Sequence, residues 1–192
     1  MSENSLRSAT QPAPLLYLPP LVSRERAEAK LPLPSLVPPF RRQPLSKVEL
    51  AFLPHFLFRL DLQAGNRTSE VKAAVDGILG HFALWRKEAT APVPAEGEFE
   101  FPFVLTEEEA RKRLLDQYRW VLISSAIKMR RLFQPRQVAL LARFYYPFWV
   151  GYFRAGDQWK FEILDGLSGM RQGGKVRDAF MHAWVRRTGA RE

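Results

Sequence analysis

Apolar positions recur along the chain in two rhythms. In the first, Phe56, Phe58, Leu60 and Leu62 alternate with His55, Leu57, Arg59 and Asp61, a period of two that predicts a half-buried strand. The stretch Phe144 to Phe153 is aromatic at both parities and predicts a strand covered on both faces. Turns at Ala64–Asn66 and Ala155–Asp157 return the chain as Val71–Val75 and Trp159–Leu164, and each return runs into Asp-Gly. In that pair the glycine offers positive φ. Pro54 and Pro147 should mark a strand start, a bulge or an edge.

The second rhythm is helical. Leu114, Tyr118, Leu122, Met129 and Phe133 follow it from Thr106 and predict a helix that stops before Pro135. Thr106 with Glu109 forms a capping box, and Glu107, Glu108 and Glu109 suit the positive end of the helix dipole. Ser23 predicts the start of a shorter helix. Residues 174–187 predict a last amphipathic helix, with Val176, Phe180 and Trp184 on one stripe and Lys175, Arg177, Arg186 and Arg187 off it.

The chain resembles itself. LVSRERAEAKL from Leu21 aligns with VLTEEEARKRL from Val104, FLPHFLF from Phe52 with YYPFWVG from Tyr145, and VDGILG from Val75 with LDGLSG from Leu164. Matches in one order, at comparable spacing, predict a duplicated unit. The expected fold is therefore α+β, with two helix–β-hairpin repeats forming antiparallel sheet packed by helices. Residues 1–16 read as a flexible tail, 17–88 as the first repeat, 89–98 as a linker, 99–173 as the second repeat and 174–192 as a basic C-terminal helix. Within the first repeat, 31–44 carries prolines at 32, 34, 38, 39 and 44 and predicts an extended arm, since such a segment cannot continue a helix. Removing residues 1–44 is expected to leave a folded remainder.

A capped helix with Ala in its first turn, followed by a hairpin ending in Asp-small-x-Thr-Gly, resembles the PepSY domain pattern. Thr106 to Ala110 with Asp165-Gly166-Leu167-Ser168-Gly169 carries one copy, and Ser23 to Ala27 with Asp76-Gly77-Ile78-Leu79-Gly80 the other. Gly stands where Ala usually follows the Asp, and the Thr is Ser168 in one copy and Leu79 in the other. The resemblance implies inhibitory or regulatory interaction rather than catalysis.

Composition removes several chemistries. The chain has no cysteine, so disulfides, thiol catalysis and thiolate metal sites are absent. Residues 1–12 lack the apolar run of an export signal and no stretch of about 18 apolar residues occurs, so a cytoplasmic protein without a transmembrane segment is expected. The histidines, His55, His81 and His182, show no metal-ligand spacing. Asp76 and Asp165 would make a carboxylate pair, but a side chain bonding its own turn backbone is the simpler reading. Asp76, Gly77, Gly80, Asp165, Gly166 and Gly169 are accordingly assigned to turns. No catalytic constellation, cofactor site or metal site is expected.

Charge is one-sided. Residues 1–110 carry 12 Lys/Arg against 14 Asp/Glu, and residues 111–192 carry 17 against 6. Lys128, Arg130, Arg131 and Arg136 are candidate nucleic-acid contacts, and Arg171, Lys175 and Arg177, beside Gly169, Gly173 and Gly174, candidate anion contacts. The expected function is a non-catalytic scaffold or accessory protein that binds another protein, or itself, through hairpin surfaces and the proline-rich arm. The alternative is a basic nucleic-acid-associated accessory protein.

Overall fold

The computed structural model describes residues 15–32, 44–85, 99–129 and 134–189, and within them not the side chains of 122–129, 155 and 188–189. In chain order the elements are β1 (Leu15–Tyr17), α1 (Arg24–Lys30), β2 (Lys47–Ala64), β3 (Arg67–Asp76), β4 (Phe82–Leu84), β5 (Phe99–Glu100), α2 (Glu107–Met129), β6 (Gln134–Ala155), β7 (Gln158–Asp165) and α3 (Gly174–Gly189). The protein is α+β; among the described residues three helices lie on a mixed seven-stranded sheet. Most of the proline-rich arm (33–43) and of the 1–16 tail, and the whole 89–98 linker, lie outside the described residues.

The sheet is built around the antiparallel pair β2 and β6, in register from Lys47↔Tyr152 to Gln63↔Gln134. Each carries an antiparallel hairpin partner, β3 on β2 and β7 on β6. Each also carries a short parallel strand, β5 on β2 and β1 on β6. Consequently the first part of the chain pairs with the last: Leu15–Tyr17 lies on Arg143–Tyr145, while Phe99–Glu100 lies on Ala51–Phe52.

The prolines explain where these flanking strands stop. Pro54 and Pro147 sit inside β2 and β6, away from the register shifts, which fall at Leu57/Phe58 and Asp61/Leu62. The Pro54 carbonyl accepts from Gly77 N–H at 2.7 Å and the Pro147 carbonyl from Gly166 N–H at 2.9 Å. In a strand, a residue's N–H and C=O point to the same flank. The missing N–H of each proline therefore faces the gap between a parallel and an antiparallel neighbour, where no ladder bond is lost.

Helices cover both faces. On one, α1 buries Ala27 and Leu31 against Val48, Trp149 and Leu164, and α2 buries Ala110, Leu114 and Tyr118 against Phe56, Phe58, Leu60 and Val75. On the other, Val176, Ala179, Phe180, Ala183 and Trp184 of α3 meet Ala51, Leu53, Phe101, Phe148, Val150 and Ile163. This double cover is why the middle of β2 is buried at both parities, including Phe52 and Leu53. Each such Phe or Leu contributes roughly 1.5–3 kcal/mol of hydrophobic stabilisation.

The helix starts follow the sequence. Ser23 accepts from Arg26 N–H at 3.3 Å. Thr106 Oγ1 accepts from Glu109 N–H at 3.3 Å, and Glu109 Oε2 accepts from Thr106 N–H at 2.8 Å. Four expectations need correction. Pro135 lies inside β6, which starts ten residues earlier than the aromatic pattern at Phe144 suggests. Positive φ falls at Gly80 and Gly169, not at Gly77 and Gly166. Pro54 and Pro147 mark neither a strand start nor a bulge. Finally, the described part of residues 1–44 is packed into the core rather than set apart from it: Leu18, Val22, Ala27 and Leu31 are buried, and Trp149 Nε1 donates to the Val22 carbonyl at 2.8 Å.

Candidate binding site

The two Asp-Gly turns follow the return strands β3 and β7 and are held by the same bonds. Asp76 Oδ1 accepts from Ile78 and Leu79 N–H at 3.0 and 2.7 Å, and Asp165 Oδ1 from Leu167 and Ser168 N–H at 2.8 Å each. Gly80 and Gly169 donate back to the Asp76 and Asp165 carbonyls, which requires the left-handed backbone that glycine adopts freely. The remaining oxygens differ. Asp76 Oδ2 accepts from His81 N–H at 2.6 Å, and Asp165 Oδ2 from the Tyr146 hydroxyl at 2.8 Å.

Gly77 and Gly166 serve a different purpose from the one their place after Asp suggests. A Cβ on Gly166 would stand 2.7 Å from the Pro147 carbonyl oxygen, and one on Gly77 would stand 2.8 Å from Phe103. Their own carbonyls are also acceptors: Gly166 takes Leu21 and Val22 N–H, and Gly77 takes Val104 and Leu105 N–H. Each turn is thereby tied to the segment entering a helix.

A cavity of about 360 Å³ opens between these turns, α3 and β4. Its floor is Leu53, His55, Tyr146 and Phe148 of the central strands, with Ala74 and Asp76 on one side and Asp165 on the other. Phe82 and Trp85 wall the β4 side, while Lys175, Val176 and Ala179 form the α3 side. The Trp85 and Tyr146 rings meet at 85° with centroids 6.5 Å apart, and Tyr146 lies 5.0 Å from Phe148. The wall is thus mainly aromatic and apolar with a few polar groups, the composition of a ligand site.

Two of its titratable groups, His55 and Tyr146, have pKa values shifted by burial. The His55 ring lies against Phe144 and Tyr146, at 5.3 and 5.6 Å, and its Nδ1 is 3.0 Å from the Leu53 carbonyl. Desolvation lowers its pKa, outweighing the opposing effects of that carbonyl and of Asp76. It is neutral at pH 7, and with Nδ1–H donating to Leu53 it leaves Nε2 as an acceptor. Burial first, then the Asp165 charge and hydrogen bond, raise the Tyr146 pKa far above the ordinary phenol. His81 Nδ1 stands 3.4 Å from Asp76 Oδ2 without hydrogen-bond geometry. Among the described residues no three His, Asp or Glu side chains converge on a metal position.

The sequence-derived candidates divide. Asp76 and Asp165, assigned only to turns, also line one cavity, whereas Gly77, Gly80, Gly166 and Gly169 belong to the turns alone. Lys175 stands exposed at the rim. Arg171 and Arg177 are both paired to Glu162, at 3.5 and 3.1 Å, and Arg171 also donates to the Lys30 and Pro32 carbonyls. Arg136 is exposed near the start of β6, while Glu162 pairs with Gly151 near its end. These cations therefore do not form one patch. Arg130 and Arg131 and the side chain of Lys128 lie outside the described residues.

His55, His81, Trp85 and Tyr146 are members of the site that single-residue reading passes over. The signal was register: pairing the strands about Pro54 and Pro147 puts His55 opposite Asp76 and Leu53 opposite Tyr146. Comparison with protein-family models, with curated proteins and with solved structures finds no match. No helix among the described residues is long and apolar enough to cross a membrane.

Proposed function

We propose that the protein is a non-catalytic binding protein that holds a partner protein at the cavity between its hairpins, on a frame of two divergent helix–hairpin copies. One observation carries this reading. The two carboxylates of the cavity are occupied by backbone N–H groups, with a tyrosine hydroxyl on Asp165, while the surrounding wall is aromatic and apolar. General acid–base catalysis requires a group free to exchange a proton with a bound substrate. Here Asp76 and Asp165 are held as acceptors by their turns, and among the described residues no Ser or Thr lines the cavity.

Reciprocity of contacts supports the two-copy frame. Leu18 N–H binds the Tyr145 carbonyl as Phe101 N–H binds that of Phe52, and the Gly166 and Gly77 carbonyls each take two N–H groups from the segment before a helix. Leu53 and Tyr146, one position before the matching prolines, face each other across the central pair. In this reading each copy lends its helix and parallel strand to the other. The proline-rich stretch 31–44 is proposed as a second, extended contact, whose ordering cost prolines reduce.

A photo-crosslinking residue at Ala83, exposed on the cavity wall, tests the reading in the native cell. It should yield an adduct with one partner protein, lost when Leu84 is changed to Lys and diminished when residues 33–43 are shortened. The same residue at Arg67, on the far end of the β2–β3 hairpin, should yield none. Equal adducts from both positions, or none from Ala83, would overturn it.

A further inference from the structure

We propose that the group this cavity receives is an alkylammonium, supplied by a lysine side chain of the partner or by a free amine; the inference rests on the binding function proposed above. The first argument is charge. Among the described residues, two carboxylates line the cavity against one ammonium, that of Lys175, and Lys175 is exposed at the rim. His55 is neutral, so it adds nothing to compensate them. No Lys or Arg among the described residues lies within ion-pair distance of Asp76 or Asp165; Asp76 meets only His81. The N–H donors around both carboxylates supply dipoles, not a counter-charge. An incoming cation would meet two formal negative charges in a partly desolvated space.

The second argument is the wall. Trp85, Tyr146 and Phe148 present rings at mutually inclined angles. Such an arrangement offers ring faces to a cation from more than one side, the basis of ammonium recognition by aromatic cages. The apolar floor at Leu53 and Ala74 suits the methylene stem of a lysine, and His55 Nε2 is an available acceptor for an N–H donor. An anionic ligand would face the carboxylates. A neutral apolar ligand would leave them uncompensated.

The full chain should be titrated with Nα-acetyl-lysine methylamide, its norleucine counterpart and n-butylammonium, following the Trp85 indole N–H and the Ala74 and Ala83 amides by NMR. The lysine compound is expected to bind at least tenfold more tightly than the norleucine compound. Lys175→Glu, a change at an exposed position, should tighten lysine binding several-fold, and added salt should weaken it. A lysine compound that outbinds butylammonium points to a protein source, and equal affinities point to a free amine. Norleucine binding as well as lysine, or no response to Lys175→Glu, would overturn the ammonium assignment while leaving the cavity a binding site. Failure of all three compounds to perturb these signals would overturn the assignment and the cavity together.

Discussion

At the scale of single residues, the glycines after Asp76 and Asp165 show how one residue type answers different demands. Gly80 and Gly169 have φ of 77° and 68° and are needed for their backbone, whereas Gly166 is needed for lack of a side chain. Gly166→Ala would drive Cβ to 2.7 Å from the Pro147 carbonyl, a backbone atom of a central strand that cannot step aside. The expected loss is about 1–3 kcal/mol, and Gly173→Ala, which meets nothing within 4 Å, should stay within about 0.5 kcal/mol. Urea denaturation of both variants measures the contrast. His55 makes a separate prediction with a definite sign. Its native pKa is lowered by burial, and in the unfolded chain it is about 6.5. As pH falls through that value the unfolded chain takes up a proton that the native ring refuses, so stability declines towards the lower folded pKa. The slope is at most about 1.4 kcal/mol per pH unit. His55→Phe keeps the ring against Phe144 and removes the proton, so the wild-type and variant stability curves should converge or cross as pH drops from 7.5 to 5.5. Curves that stay parallel would show that His55 does not titrate between the states. The sequence displayed the Asp-Gly turns openly, because Asx turns are local. It concealed the partnership of His55 with Asp76 and of Tyr146 with Asp165, because these are set by register between strands.

At the scale of elements, the helices were legible at their starts and less so at their ends. Thr106 and Glu109 specify the start of α2 by reciprocal bonds that any chain with those residues can make. Thr106→Ala should therefore cost about 1 kcal/mol, read as a lowered denaturation midpoint with unchanged denaturant slope, since a cap alters stability without altering the buried surface. The stripe of α3 was equally visible, because Val176, Phe180 and Trp184 lie on one face whatever they meet. Phe180 is buried against Phe101 and Phe161, and Phe180→Ala should cost about 3–5 kcal/mol. Strand lengths were another matter. β6 runs from Gln134, where Gln134, Pro135, Arg136 and Gln137 are exposed and carry no alternation of apolar and polar positions. They are held in the sheet by pairing with Asp61–Gln63 of β2, so their conformation is imposed from a distant strand. Pro135 is carried inside β6 opposite Leu62, so a proline there does not exclude a strand.

At the scale of the whole molecule, the order of pairing matters more than the inventory of elements. β1 precedes β2 by thirty residues but lies on β6, and β5 follows the first hairpin but returns to β2. Phe101, fully buried and contributed by the later part of the chain, packs with Ala51 and Leu53 of the earlier part. Leu31, from the earlier part, packs with Trp149 and Leu164 of the later. Neither part therefore owns a complete core. The β2–β6 ladder runs nearly the full length of both strands, so separating the parts would expose the edges of both along with these apolar side chains. A single proteolytic cut placed between residues 86 and 98 should leave the protein folded. The two fragments should co-migrate on size exclusion without denaturant, because the non-covalent surface joining them is the core of the sheet. Residues 15–85 or 99–189 expressed alone should lack a cooperative thermal transition and should regain one when mixed. A fragment that unfolds cooperatively by itself would mean that one hairpin and its own helix suffice for a core, and that the crossed pairing of β1 and β5 is an addition to two independent units rather than the contact that makes them one.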